Sequence, residues 1–155
     1  MLKAVREQKG DTLIVRLSGT VDESSQLETL FGQVPPKLIV HCKDVHQLNS
    51  AGVKSWIRFF SDLKLAKVNF QFIECSPPVV EQINMIMNFT AGGSVASIYL
   101  PFYCAKCSKS FYSLISIDKL RTIYKNLPAP ACPQCGSATE FDDIEDEYFG
   151  FLERA

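Results

Sequence analysis

Two pairs of cysteines constrain this chain more than any other feature of it. Cys104-Ala105-Lys106-Cys107 and Cys132-Pro133-Gln134-Cys135 each carry two thiols separated by two residues, with 24 residues between the pairs. In a reducing compartment such spacing reads as metal ligation before it reads as disulfide bonding. The two-residue gap lets backbone N–H groups turn toward the sulfurs, and Gly136 after the second pair permits the positive φ that such turns often use. Four thiolates fill the tetrahedral shell of Zn²⁺ and leave no place for a reacting water, so the expected ion is structural. Two vicinal redox pairs are the competing pattern, but a redox site normally needs only one pair beside a strand–helix junction. The spacer slightly exceeds the usual ribbon interval of about 15–20 residues. A strand from Phe111 to Ile115 and a short helix from Asp118 to Asn126 would absorb the excess.

The cysteine module cannot be the whole fold. A chain of 155 residues with 46% hydrophobic content supports one ordinary core and one small appendage. The expected division is a first domain over 1–101, a zinc ribbon over 102–141 and an acidic tail over 142–155. A segment of about 40 residues builds too little core alone, so metal binding should supply part of its folding energy. Chelation is then expected to unfold 102–141 and leave the larger domain folded.

Hydropathy patterning over the first hundred residues alternates between periods of two and about 3.6. Leu13, Val15 and Leu17 share one face of a strand that Ser18-Gly19-Thr20 breaks. Asp22 to Phe31 follows as a short amphipathic helix, with Ser25-x-x-Glu28 spaced for a capping box. Lys37 to Cys42 has the unbroken apolar centre of a central strand covered on both faces. Val53, Trp56, Ile57, Phe60 and Leu63 then recur at steps of three and four, the clearest helix in the chain. Val68 to Ile73 is a further strand, and Ser76-Pro77-Pro78 opens a helix whose apolar face is Val79, Val80, Ile83, Ile86 and Met87. Ala91-Gly92-Gly93 turns the chain into a last strand over Val95 to Leu100. Strands alternating with helices define an α/β class with at least part of the sheet parallel.

Charge is uneven although the net value is −1. Residues 1–101 carry ten basic against nine acidic groups, 102–139 five against one, and 140–155 one against seven. This excludes a uniformly basic nucleic-acid-coating surface. It leaves Lys106, Lys109, Lys119, Arg121 and Lys125, interleaved with Phe111, Tyr112 and Tyr124, as candidate nucleic-acid contacts, against the plainer reading of a solvated face. The run from Asp142 to Glu147 either folds over these cations or stays a mobile tether, and the aromatic end Tyr148 to Leu152 suits a groove of its own chain or of a partner. The first nine residues lack the apolar run of a signal peptide, and no stretch of about 18 apolar residues is present, so a soluble, cytoplasmic protein with no membrane association is expected.

The segments Leu17-Ser18-Gly19-Thr20-Val21-Asp22, Leu38-Ile39-Val40 and Leu48-Asn49-Ser50-Ala51-Gly52-Val53, in that order between strands and helices, resemble the STAS domain of anti-sigma factor antagonists and sulfate transporters. The resemblance covers about residues 10–100. It implies a STAS-like mixed sheet flanked by helices, and work by partner binding, the partner being a regulatory protein such as an anti-sigma factor or related kinase. The partner-binding loop it implies is Asn49, Ser50, Ala51 and Gly52. Kinase-controlled members carry a hydroxyl residue just before the glycine of this loop, where it receives phosphate. Ala51 stands there in this chain and has no oxygen to phosphorylate. Ser50 is then either an alternative phosphosite or, more simply, the N-cap of the following helix. With the acceptor missing, the domain is expected to stay in its binding-competent form.

Nothing points to catalysis. His41 and His46 are read as surface or loop histidines at the exit of the third strand, and no nucleophile elbow surrounds Ser50. Gly92-Gly93 lacks the lysine and spacing of a nucleotide site. Cys42 and Cys75 are read as buried structural thiols. The expected function is a non-enzymatic regulatory protein-binding module with structural zinc. The alternative is a zinc-ribbon nucleic-acid-binding regulator that self-associates through its first domain.

Overall fold

The computed structural model describes residues 1–154. Its first element is a hairpin, β1 (Lys3–Lys9) antiparallel to β2 (Thr12–Val21), closed at Gly10-Asp11. The chain continues through α1 (Leu27–Phe31), β3 (Lys37–Leu48), α2 (Ser50–Leu65), β4 (Asn69–Ile73), α3 (Pro77–Met85) and β5 (Ser94–Val95). These strands form one mixed sheet in the order β1-β2-β3-β4-β5, with every pair beyond the first hairpin parallel. The α/β class, the mixed sheet and its flanking helices agree with the sequence pattern.

β3 lies at the centre of the strand order, yet it is sealed on one face only. Leu38, Val40 and Cys42 are buried, as are Leu13, Val15 and Leu17 of β2 and Phe70 and Phe72 of β4. The alternate residues Ile14, Ile39, His41, Gln71 and Ile73 are half-buried and Arg16 is exposed. The expected cover on both faces is therefore corrected: the apolar run of β3 includes Ile39, but Ile39 and its neighbours in register, Ile14 and Gln71, are only half-buried.

Aromatic rings fill the sealed side. Trp56 of α2 is fully buried and lies between Phe72 and Phe89, with centroids 5.7 and 5.2 Å away and planes within 25° and 12°. Phe60 meets Trp56, Phe70, Phe72 and Phe31, which joins α1 to the same cluster. Rings of this size bury much apolar area per residue, so α2 and the sheet are held together mainly here.

Several expected boundaries move for identifiable reasons. β2 runs through Ser18-Gly19-Thr20 to Val21, absorbing the small residues as register shifts against β3. The capping box at Ser25 does not form, because its hydroxyl accepts from the Asp22 N–H at 3.0 Å and donates to the Thr20 carbonyl at 3.4 Å. Ser76 likewise does not cap α3; its hydroxyl donates to the Val45 carbonyl at 2.7 Å, tying α3 to β3. Ile86 turns extended to end α3, and Met87 is exposed instead of joining the apolar face.

The strand expected over 95–100 divides between two sheets. β5 ends at Val95, and β6 (Ser97–Cys104) starts a second sheet with β7 (Lys109–Ser116) and β8 (Glu140–Phe141), ordered β7-β6-β8 with both pairs antiparallel. The sheets are stitched where Cys75 donates to the Ser97 carbonyl (3.1 Å) and Tyr99 donates to the Cys75 carbonyl (2.9 Å). α4 (Ile117–Ile123) and a 3₁₀ turn (Tyr124–Asn126) follow β7, and the tail forms α5 (Glu145–Tyr148) and a second 3₁₀ turn (Gly150–Glu153). β6 crosses position 101, and its Ile98, Leu100 and Phe102 share one hydrophobic cluster with β2, β3, β4, Leu120 of α4, and Tyr148, Phe149 and Leu152 of the tail. Of the two readings of the aromatic end Tyr148 to Leu152, docking on its own chain is the one observed; Ala155 lies outside the described residues. No helix among the described residues is long and apolar enough to cross a membrane.

Candidate functional site

Cys104 closes β6 and is fully buried, so one thiol is anchored to the second sheet. The turn after it brings Cys107 back, and Ser108, at a φ of 54°, redirects the chain into β7. Cys132 and Cys135 come from the loop between α4 and β8, where Gly136 takes a φ of 74° and donates its N–H to the Cys132 carbonyl at 2.9 Å. Cys132 in turn donates to the Ser137 carbonyl at 2.8 Å, closing a second turn.

The four Sγ atoms all lie within 4.8 Å of one another. Cys104 Sγ is 3.6 Å from Cys135 Sγ, and Cys132 Sγ is 3.9 Å from Cys107 Sγ. A tetrahedral ion with metal–sulfur bonds of about 2.3 Å requires sulfurs roughly 3.8 Å apart, so these residues fit a metal ion. Backbone N–H groups point at two of the sulfurs, Cys107 N to Cys104 Sγ and Gln134 N to Cys132 Sγ, each at 3.4 Å. Such donors orient thiolates and spread their charge.

The thiols are electrostatically unequal. The hydroxyl and backbone N–H of Ser137 lower Cys135 to about 6, which favours its thiolate form. Backbone N–H groups of Cys135 and Gln134 lower Cys132 as well. Hydrogen bonding to Cys135, then burial, pushes Cys107 up to about 12. An ion arriving here displaces the remaining thiol protons.

A second feature lies at the carboxyl ends of β2 and β3, which pair as far as Val21 and Leu48. Asn49 is the N-cap of α2: its Oδ1 accepts from the Gly52 N–H at 2.8 Å, and its Nδ2 donates to Glu23 Oε2 at 2.7 Å. The reading of Ser50 as N-cap is corrected accordingly. Ser50 is the first helical residue, and both it and Ala51 are exposed. Gly52 is buried against β2, where a Cβ would lie 2.2 Å from the Val21 carbonyl oxygen. Beside it, Asp22 Oδ1 accepts from the Ser24 N–H (2.9 Å) and hydroxyl (2.6 Å), which holds the Asp22 carboxyl below its ordinary range. The Asn49 amide does the same to Glu23. The Asp22–Ser24 turn thus joins the Asn49–Gly52 turn in one surface. Its two Asx-type side chains are visible in the sequence; their adjacency depends on the β2–β3 register.

The basic residues of the module do not sit on one element. Lys106 lies in the first cysteine turn and Lys109 opens β7, whereas Lys119 and Arg121 belong to α4 and Lys125 to the turn after it. Arg121 donates to the Leu152 carbonyl at 3.2 Å and so helps dock the tail. None of the five forms an ion pair among the described residues.

His41 departs from the surface or loop reading. It lies within β3, half-buried, with Nδ1 2.5 Å from Glu74 Oε2, and Tyr99 donates to the other Glu74 oxygen at 3.3 Å. Glu74 is held at a φ of 51°, and its N–H donates to Ser97 Oγ at 2.7 Å. This network links β3, the end of β4 and β6. His46 is also within β3 and exposed. Cys42 and Cys75 are fully buried, and contact with Cys75, then burial, keeps the Cys42 thiol protonated. No protein-family model matches the chain, and comparison with curated proteins finds no match.

Proposed function

We propose that this chain is a non-enzymatic regulatory module that binds a protein partner through the joined Asp22–Ser24 and Asn49–Gly52 turns, with zinc bound structurally by Cys104, Cys107, Cys132 and Cys135. The observation that carries the partner reading is the preorganised, exposed turn pair at the carboxyl ends of the adjacent parallel strands β2 and β3. Ordering costs for these loops are already met, which favours binding. The resemblance to anti-sigma factor antagonists points to a regulatory protein as the partner, of the class of an anti-sigma factor or related kinase. With Ala51 in place of the hydroxyl acceptor, the usual phosphate switch is absent.

Zinc suits the donor set because four thiolates match its preference for sulfur and fill its coordination shell. Under this reading the metal orders the two cysteine turns and takes no part in chemistry. Element analysis of protein purified without added metal is expected to give one zinc per chain.

The partner reading is tested by capturing partners on wild-type protein and on Ser50→Arg and Glu23→Lys variants, whose side chains are exposed. A specific partner lost from both variants supports it; identical capture on all three overturns it. The nucleic-acid alternative rests on Lys106, Lys109, Lys119 and Lys125, which form no ion pair among the described residues. It predicts a gel shift at physiological salt that Lys119→Glu with Lys125→Glu abolishes. Arg121 is unsuitable for that test because it docks the tail.

A further inference from the structure

We propose that the groove between α3 and the C-terminal tail receives a basic segment of a partner protein, one in which Lys or Arg alternates with apolar residues. The groove measures about 810 Å³ and has α3 as one wall and the acidic turn of the tail as the other. Glu81 and Met85 line it from α3, Tyr112 from β7, and Asp143, Asp146 and Glu147 from the tail.

The tail wall is built into the fold. Asn84 of α3 donates to the Tyr148 carbonyl at 2.9 Å and accepts from the Phe151 N–H at 2.8 Å. Arg154 donates to the Ile83 carbonyl at 2.9 Å and also to the Asn84 carbonyl. Tyr148, itself buried, donates its hydroxyl to the Tyr99 carbonyl at 2.5 Å. The turn that carries the tail carboxylates is therefore held beside α3, and the groove, lined by four carboxylates against the one guanidinium of Arg154, keeps an excess of negative charge. Glu81, Asp143, Asp146 and Glu147 make no ion pair among the described residues, and the one guanidinium in the groove, Arg154, donates to backbone carbonyls.

Two large side chains of the lining stand open to solvent. Met85 is 67% exposed and Tyr112 is 59% exposed. An adaptable thioether beside an amphipathic ring is a common feature of binding surfaces. Charge complementarity selects the occupant. Phosphate-bearing ligands are repelled by four carboxylates. A divalent ion is not accommodated either, because among the described residues the cysteines are the one set of potential ligands that converges on a point. Four carboxylates in a groove that also presents Met85 and Tyr112 match a segment carrying several cations together with apolar side chains. A second copy of this chain is the less suitable occupant: its exposed lysines are scattered over separate elements. The groove shares no residue with the Asn49–Gly52 turn, so either surface can fail without the other.

Fluorescence anisotropy of the full chain with two labelled twelve-residue peptides tests the proposal. One alternates Lys and Arg with Leu and Pro; the other carries Glu at every cationic position. The basic peptide is expected to bind, to weaken at least tenfold in the Glu81→Lys/Asp146→Lys variant and severalfold in Met85→Ala, and to bind Ser50→Arg like wild type. All substituted side chains are exposed, and an unchanged thermal midpoint confirms that each variant is folded. Failure of the basic peptide to bind, equal binding of the acidic peptide, or undiminished binding to the charge-reversed protein overturns the proposal. Sedimentation showing a dimer that the same charge reversal dissolves also overturns it, by assigning the groove to a second copy.

Discussion

At Lys67 the chain leaves α2 with a φ of 62°, in the left-handed region where a side chain costs about 1–2 kcal/mol. The conformation is imposed by two bonds that satisfy the last turn of the helix, Val68 N to the Leu63 carbonyl and Lys67 N to the Lys64 carbonyl, both at 3.0 Å. Glycine is the usual residue at such a position. Lys67→Gly is expected to stabilise the fold by about 0.5–1 kcal/mol, after the extra freedom glycine gives the unfolded chain is subtracted. Urea unfolding followed by the fluorescence of Trp56, the single tryptophan, reads this directly; a lower midpoint would show that the Lys67 side chain makes a stabilising contact of its own. The same conformational reasoning separates the two cysteine turns. Gly136 occupies the positive-φ place after Cys135 at little cost, whereas Ser108 occupies it after Cys107 with a Cβ. Gly136→Ala is expected to weaken metal retention about tenfold, equivalent to about 1.4 kcal/mol. Competition with a colorimetric chelator measures it, and equal retention would show that the second turn tolerates a side chain at this φ.

Among elements, the long periodic ones were legible and the irregular ones were not. α2 announces itself because Val53, Trp56 and Phe60 must all face the sheet, and a stripe of that length has few other readings. β1 went unseen since an edge strand in a hairpin needs only one inward face, and Lys3–Lys9 offers Ala4 alone among the half-buried small residues. Serine hydroxyls misled in the same way three times. Ser25 and Ser76 stand just before helices and Ser50 opens one, yet Ser25 serves a turn, Ser76 serves β3, and Asn49 takes the cap of α2 expected at Ser50. Local spacing identifies a possible cap; which acceptor wins depends on strands brought alongside by tertiary structure. The four cysteines escaped this problem because their turns are local and their convergence is a property of the pairs. Asn49→Ala is expected to destabilise α2 by about 1 kcal/mol and to release Glu23 from its amide partner. If the turn pair is the partner surface, binding falls further than this stability loss predicts. A matched loss of stability with unchanged affinity would confine Asn49 to capping.

On the scale of the whole molecule, the expected independence of a metal-dependent appendage meets a shared core. Phe102 and Phe141 of the second sheet pack edge to face, Phe141 meets Tyr148 edge to face and Phe149 at a tilt, and these residues belong to the cluster that includes the first sheet. Leu120 of α4 is fully buried in it. Each such large apolar side chain contributes roughly 1.5–3 kcal/mol when fully buried, so β6, β7 and α4 are held by packing as well as by metal. The two cysteine turns are different: among their residues Cys104 and Cys132 are buried, while Lys106, Pro133, Gln134 and Gly136 are exposed. Metal removal therefore has a graded outcome. Chelation is expected to speed amide exchange and iodoacetamide labelling sharply at 105–108 and 132–137, while amides of β6 from Ile98 to Phe102 keep most of their protection and Cys42 and Cys75 stay unlabelled. Hydrogen exchange with and without chelator, read by mass spectrometry of overlapping peptides, separates this from cooperative unfolding of 102–141. Full loss of protection across β7 and α4 with the metal gone would show that thiolate ligation, and not the shared core, holds the second sheet to the first.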